Sequence, residues 1–329
     1  MLRRPKRSPD APSANEALRG IVNHPPSLSV GPTADVLRRL ELLVTRRLDG
    51  LLQGDYRGLV PGHGSELGET REYQPGDDVR RIDWNVTART VTPHIRQTIV
   101  DRELETWVFA DFSPSLHFGT ADCEKRDLAL AAAAAVGFLT ERTGNRVGGI
   151  TAEGGRLVTV PARGGRMHLQ ALLHRFATAA KHAEPNAVDL AAGMNRLDAT
   201  MNRRGLAVVI SDFLSPLDWE RSLSRLSVRH ETLVVEVIDP RELELPDVGV
   251  VAFVDPESGA EFEVQTSRAD VRTRYADAAA AQRATIARAI RSSGADHLVL
   301  RTDRDWLLDL VRFVSFRRDR VDALARAKR

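Results

Sequence analysis

Hydrophobic residues in the later two thirds of the chain form short strand-like runs that alternate with longer segments of helical periodicity. The runs are rich in β-branched residues, and the segments between them repeat apolar positions every three or four residues. Predicted strands lie at residues 106–111, 146–151, 156–161, 206–211, 231–238 and 297–301, and predicted helices at 122–142, 166–181, 188–202, 217–228, 268–293 and from 304 onward. A predicted hairpin at 250–264, with its turn at 256–259, interrupts the alternation. The pattern predicts an α/β fold with a doubly wound, mainly parallel sheet and helices on both faces.

The N-terminal part of the chain has a different pattern. Residues 1–33 combine prolines with charged and small polar residues and lack a hydrophobic period, which predicts a disordered basic tail. Residues 34–52 place Leu37, Leu40 and Val44 at helical spacing, which predicts an amphipathic helix packed on the body. Glycine and proline punctuate the following residues, so that we expect a helix plus a loop-rich β segment over 34–103. The α/β domain is expected at 104–317, and a basic tail at 318–329.

Composition narrows the functional classes only slightly. Lysine and arginine total 47 against 45 for aspartate and glutamate, and this balance does not favour a nucleic-acid-binding surface. One cysteine excludes an internal disulfide and fits a reducing compartment. No apolar run reaches the roughly 20 residues needed to cross a bilayer, and no secretory signal is visible, so we expect a cytoplasmic protein.

The candidate chemistry lies at the ends of two predicted strands. Asp111, Ser113 and Ser115 follow the first strand at alternate positions, and Asp212 follows the strand at 206–211. Ligands of open α/β sheets bind at the carboxyl ends of the strands, and Mg²⁺ prefers carboxylate and hydroxyl oxygens. The pattern therefore indicates a site for Mg²⁺ or another divalent cation. The competing interpretation is that these side chains cap helices or start turns by accepting backbone N–H groups, and spacing alone does not decide between the two.

A charged segment around residues 77–84 offers a second candidate surface. Its members are Asp77, Asp78, Arg80, Arg81, Asp83 and Trp84. Tryptophan and arginine are favoured at interface hot spots, which indicates a partner-binding ridge. The interpretation that we favour is a structural network of Asp–Arg pairs with Trp84 in the core.

Two sets of motifs resemble known families. Asp111-x-Ser113-x-Ser115 with the later Ser211-Asp212 resembles the metal-ion-dependent adhesion site of von Willebrand factor A domains. The run Tyr73-x-Pro75-Gly-Asp-Asp78-x-Arg80-x-Ile82-Asp-Trp84-Asn, followed by Ala88-Arg89 and by Glu103-x-Glu105, resembles the bacterial family catalogued as domain of unknown function fifty-eight, over about residues 35–317. This resemblance implies a von Willebrand factor A-like, Rossmann-type fold. It also implies a functional association with MoxR-type AAA+ ATPases, which act as chaperones in assembly or metal insertion.

One position departs from the adhesion-site pattern. In von Willebrand factor A domains a threonine before the third helix completes the ligands of the cation, whereas the matching stretch here, residues 185–190, places Ala187 or Val188 there. Neither side chain can coordinate a metal. Asn186 or Asp189 offers a replacement oxygen, and water is the other option.

Three functional hypotheses follow. The sequence lacks a phosphate-binding P-loop, a nucleophile elbow and an H-E-x-x-H zinc motif, so the preferred hypothesis is a non-enzymatic adaptor with a cation-dependent face and a MoxR-type partner. The first alternative is a metal-dependent phosphoesterase that uses Asp111 and Asp212. The second is nucleic-acid binding through the basic termini, residues 3–7 and 317–329.

Overall fold

A computed structural model of the chain describes residues 24–52, 70–74, 79, 82–90, 92–96, 105–153, 155–182, 189–254 and 260–327. The helices are α1 (Thr33–Leu52), α2 (Trp84–Thr90), α3 (Lys125–Arg142), α4 (Arg166–Lys181), α5 (Leu190–Thr200), α6 (Glu220–Arg229), α7 (Ala269–Ser292) and α8 (Trp306–Ala327). The strands are β1 (Thr70–Glu72), β2 (His94–Arg96), β3 (Glu105–Ala110), β4 (Arg146–Glu153), β5 (Arg156–Arg163), β6 (Leu206–Ser211), β7 (Glu231–Ile238), β8 (Val250–Val254), β9 (Glu261–Gln265) and β10 (Asp296–Arg301).

The central sheet has the strand order β10-β7-β6-β3-β4-β5. All its neighbouring strands are parallel except β5, which pairs antiparallel with β4. The chain begins this sheet at β3, builds outward to β5, and then returns beside β3 to add β6, β7 and β10. This reversal places the topological switch point between β3 and β6, and open α/β sheets bind their ligands at the carboxyl ends of the strands at such a point. The predicted α/β fold with a mainly parallel, doubly wound sheet is confirmed.

Both faces of the sheet are covered by helices, which explains why its central strands are mostly apolar. Successive side chains of a strand point to opposite faces. In β3, Val108 and Ala110 enter the core formed with α1, α3, α4 and α8. Trp107 and Phe109 enter the core formed with α5, α6 and α7.

Helix α5 approaches β3 closely because it carries a glycine at the contact. A Cβ atom at Gly193 would lie 2.0 Å from Cζ of Phe109, so any larger residue would push the helix away from the sheet. The close contact holds α5 against the strand that leads into Asp111. Among the described helices, none is both long and apolar enough to cross a membrane.

The N-terminal region confirms one expectation and corrects another. Val36, Leu40 and Val44 are buried, as expected for an amphipathic α1 packed on the body. Residues 24–32 were expected to belong to the disordered tail, but Leu28 is only 1% exposed and its N–H donates to Oδ1 of Asp127 at 2.8 Å. One buried leucine and one buried hydrogen bond are enough to order this end of the segment, although its composition is polar. The domain boundaries stay predictions.

The segment between α1 and β3 is described in part. Strands β1 and β2 pair antiparallel, and α2 lies between them in the sequence. The hairpin predicted at 250–264 is present as the antiparallel pair β8 and β9. Its turn, 256–259, lies outside the described residues.

Candidate functional site

The switch point brings the two predicted strand-end aspartates together. Asp111 follows β3 and Asp212 follows β6, and these strands are neighbours in the sheet. The backbone N–H of Asp111 donates to the carbonyl of Ile210 at 2.9 Å. The Ser211 hydroxyl donates to Oδ2 of Asp111 at 2.8 Å. The group formed by Asp111, Ser113, Ser115, Ser211 and Asp212 is called the switch-point edge below.

The two serines of the loop connect the aspartates. Ser113 donates its backbone N–H to Oδ1 of Asp111 at 3.1 Å, and its hydroxyl lies 3.0 Å from the hydroxyl of Ser115. Ser115 lies close enough to Asp212 to help lower the pKa of that carboxyl. Asp111, Ser113 and Ser115 all keep part of their surface accessible to solvent. Asp111, Ser113 and Ser115 are therefore joined by hydrogen bonds at the rim of the sheet, and Asp212 lies next to them.

Both carboxylates also start turns, as the competing interpretation predicted. Oδ1 of Asp111 accepts from the backbone of Ser113, and Oδ1 of Asp212 accepts from the N–H of Leu214 at 3.2 Å. These Asx-type bonds shape the two loops. They use one oxygen of each carboxylate, so turn formation does not exhaust the hydrogen-bonding capacity of the edge.

A buried lysine that the sequence analysis missed lies against Asp212. Nζ of Lys125, the first residue of α3, is 2.7 Å from Oδ2 of Asp212 and also contacts Oε1 of Glu242. The Lys125 side chain is 1% exposed. A buried ammonium is tolerated only when it is paired, so the two carboxylates account for its position. The available sequence signal was a lysine at the start of a long, alanine-rich apolar segment.

The ion pairs continue from Lys125 into α7. Arg283 donates to Oε2 of Glu242 at 2.9 Å, to Oε1 of Glu236 at 2.7 Å and to the carbonyl of Asp212 at 2.9 Å. Oε2 of Glu236 lies 2.8 Å from Nε2 of His297. The loop after β6 is therefore fixed to α7 and to β7 by charged side chains.

The two aspartates differ in their electrostatics. Burial, together with the nearby charge of Asp212, raises the pKa of Asp111 to about 6, although hydrogen bonds from Ser211 and Ser113 oppose the shift. Burial alone would also raise the pKa of Asp212, but the ammonium of Lys125 and hydrogen bonds lower it below its usual value. None of the described basic side chains forms an ion pair with Asp111. Its negative charge is the uncompensated one at this edge.

The donor set fits a hard divalent cation in its chemistry. Asp111, Ser113 and Ser115 bring one uncompensated carboxylate and two hydroxyls into a single hydrogen-bonded group, and Mg²⁺ prefers such oxygens. Asp212 adds a second carboxylate, whose charge is shared with Lys125. Across the described residues, His, Cys, Asp and Glu side chains nowhere form a group of three or more that could hold a metal ion.

The positions proposed to replace the missing threonine are described in part. Asp189 is the N-cap of α5, and its Oδ1 accepts from the N–H of Ala191 at 3.1 Å. Asn186, Ala187 and Val188 lie outside the described residues. The structure thus gives Asp189 a helix-capping role and leaves Asn186 as a prediction.

The charged segment at residues 77–84 departs from the favoured interpretation, which placed Trp84 in the core. Trp84 is 71% exposed, so its predicted place in the core is wrong. Asp83 is buried and its Oδ1 accepts from the N–H groups of Asn85 and Val86, which starts α2 and turns the next side chain outward. Asp77, Asp78, Arg80 and Arg81 lie outside the described residues.

The prediction that residues 317–329 form a basic nucleic-acid-binding terminus is wrong for Arg317. Arg317 is 6% exposed and pairs with Asp296 at 2.7 Å and with Glu231 at 2.8 Å. These contacts fix α8 to the sheet, so Arg317 is a structural residue and not part of a free basic arm. Residues 3–7 lie outside the described residues.

Comparisons with known proteins identify the family of the chain and several of its relatives. Residues 69–285 match the sequence model of the family described as protein of unknown function DUF58. The uncharacterized protein Rv1480 of Mycobacterium tuberculosis is 55% identical over 308 residues, covering 92% of this chain and 97% of that protein. The uncharacterized protein MAV169 of Mycobacterium avium is 49% identical over 162 residues, covering 49% of this chain and 95% of that protein.

Two solved structures share low sequence identity with the chain. The conserved hypothetical protein BatB from Bacteroides thetaiotaomicron aligns with a TM-score of 0.43 and 12% identity over 66% of this chain and 99% of that one. The VWA domain of SpRpn10 aligns with a TM-score of 0.35 and 13% identity over 63% of this chain and 93% of that one.

Proposed function

We propose that this chain, which belongs to the family described as protein of unknown function DUF58, is a non-enzymatic adaptor that binds a partner protein through the switch-point edge. The observation that carries the proposal is the meeting of Asp111, Ser113 and Ser115, which hydrogen bonds join, with Asp212 at one edge of the sheet. These carboxylate and hydroxyl oxygens lie at the switch point of the sheet, the position at which open α/β sheets bind their ligands.

The proposed cofactor is Mg²⁺ or another divalent cation. Asp111, Ser113 and Ser115 would hold it, and Asp212 would add charge from the neighbouring strand. When bound, the cation supplies a coordination position that accepts a carboxylate from a partner, which makes binding cation-dependent and directional. Because Asp189 already caps α5, we expect Asn186 or water to take the place of the missing threonine.

The proposed partner is a MoxR-type AAA+ ATPase in chaperone-like assembly, in the cytoplasm. Its support is the family resemblance carried by the motifs between Tyr73 and Glu105. An acidic side chain on the ATPase is the group that we expect to approach the cation. The exposed Trp84 offers a second contact surface, since aromatic side chains anchor interfaces.

Co-purification tests the adaptor role. The full chain is used as bait for the ATPase, with Mg²⁺ or with a chelator, as wild type, Asp111→Ala and the control Asp270→Ala. Asp270 is an exposed carboxylate paired with Arg268, so its loss removes the same charge away from the edge. We expect the chelator and Asp111→Ala to abolish recovery of the ATPase and Asp270→Ala to retain it. Equal recovery in every condition would rule out a cation-mediated contact.

The same preparation tests the enzymatic alternative. Lys125 already occupies Oδ2 of Asp212, which disfavours Asp212 as a general base. A screen of phosphoesters with Mg²⁺ or Mn²⁺ should therefore show no turnover. Turnover that disappears in Asp212→Ala would favour the phosphoesterase instead.

A further inference from the structure

Lys125 brings a permanent positive charge to the switch-point edge. Its ammonium contacts the carboxylates of Asp212 and Glu242 and is closed off from solvent. We infer that Lys125 is the residue that limits the affinity of this edge for divalent cations, because it neutralises carboxylate charge that a metal ion would otherwise use. The inference rests on the proposed cation site and assigns a function to a residue outside its ligands.

The position of Lys125 is fixed by its helix. The next residue, Arg126, pairs with Glu124 and donates to Ser29 at 2.7 Å. Asp127 accepts from the N–H of Leu28 at 2.8 Å. The first turn of α3 is therefore fixed to the segment that precedes α1. The ammonium of Lys125 is held by its own burial and by its two carboxylate partners, so it acts as a built-in counter-ion.

The balance of charges at the switch-point edge shows how the ammonium of Lys125 affects a metal ion. The carboxylates of Asp212, Glu242 and Glu236 are opposed by Lys125 and Arg283. An uncharged side chain of similar size at position 125 would leave Asp212 without its ammonium, next to the uncompensated Asp111. In a partly buried site that extra negative charge attracts a divalent cation strongly, because the effective dielectric constant is low.

Mg²⁺ titration of two variants tests the inference. Lys125→Met removes the ammonium, and Lys125→Met/Glu242→Gln removes it together with one of its carboxylates. Arg268→Met is the control, because it removes an exposed cation from an ion pair with Asp270. We expect Lys125→Met to bind Mg²⁺ at least about tenfold more tightly than wild type, with the double variant between the two. Mg²⁺ should also raise the Tm of Lys125→Met more than that of wild type.

The four outcomes separate this inference from the proposed function. If wild type binds Mg²⁺ and the variants bind it more tightly, the result supports both the role of Lys125 and the cation-dependent adaptor. Binding by the variants alone supports the role of Lys125 and overturns a cation-dependent adaptor. Equal affinity in wild type and variants overturns the role of Lys125 and retains the adaptor, and no binding by any chain overturns both. If Lys125→Met does not fold, the charge-balanced double variant decides the same question.

Discussion

The hydroxyl of Ser211 donates a 2.8 Å hydrogen bond to Oδ2 of Asp111, which joins the last residue of β6 to the first residue after β3. The same hydroxyl accepts from the N–H of Phe213 at 3.1 Å. Phe213 has a φ of 56°, a left-handed conformation that a bulky residue adopts only when its surroundings enforce it. Ser211 thus stabilises both the position of Asp111 and a strained turn beside it.

Replacement of Ser211 by alanine should lower stability and perturb Asp111. We expect Ser211→Ala to reduce the free energy of unfolding by about 1–2 kcal/mol, because one buried and one partly buried hydrogen bond are lost. The pKa of Asp111 should rise further, since the bond from Ser211 lowers it. Urea unfolding and an NMR titration of the Asp111 carboxyl measure the two effects. Ser215→Ala, in the exposed part of the same loop, should leave both unchanged, and equal behaviour of the two variants would contradict the role of Ser211.

Asp111 should make stability depend on pH in a defined direction. Its pKa is about 6 in the folded chain against 3.8 for the free carboxyl, so the folded state holds the proton more tightly. The resulting stabilisation is complete below the lower value and is lost as the pH rises through about 6. Asp111→Asn stays neutral, so it should be more stable than wild type by about 1–3 kcal/mol near pH 8, keep part of that advantage at pH 5 and lose it below about pH 4.

Asp303→Asn serves as the control of opposite sign for this pH experiment. The pKa of Asp303 is lowered because Arg301 donates two hydrogen bonds to it. Its amide variant should therefore gain no stability at alkaline pH. Urea unfolding of the three chains over the pH range measures the comparison, and identical pH profiles of Asp111→Asn and wild type would exclude a raised pKa at Asp111.

Leu28 should be an anchor for the segment that precedes α1. It is buried in the same core as α3, so Leu28→Ala should cost about 2–5 kcal/mol of unfolding free energy. Val30 lies two residues away and is 70% exposed, and Val30→Ala should change stability by less than about 0.5 kcal/mol. Urea unfolding of both variants makes the comparison. A small, similar effect of the two substitutions would mean that this segment does not contribute to the core.

Trp84 should dominate the solvent-accessible part of the tryptophan fluorescence. The chain has four tryptophans, and Trp107, Trp219 and Trp306 are buried. Acrylamide should therefore quench mainly one component of the emission, and Trp84→Phe should remove that component while leaving the free energy of unfolding nearly unchanged. Trp219→Phe should remove a component that acrylamide does not reach. Quenching that persists in Trp84→Phe would show that a different tryptophan is accessible.

The candidate site was predictable in part from the sequence. Asp111 and Asp212 each follow an apolar strand, and the carboxyl ends of adjacent parallel strands share an edge, so their meeting could be expected. Trp84 was placed wrongly because an aromatic residue beside Asp and Arg is compatible with a core or with a surface. Leu28 was missed because one apolar residue in a polar segment has no periodicity to reveal its burial.

The sequence by itself determined the order and type of the strands and helices of the central sheet, because hydrophobic periodicity is a local property that neighbouring residues share. It also determined which side chains stand at the strand ends. Only the tertiary structure decided their partners, since contacts across long separations leave no local pattern. Lys125 and Asp212 are 87 positions apart in the chain, and their ion pair exists because the fold places the first turn of α3 beside the end of β6.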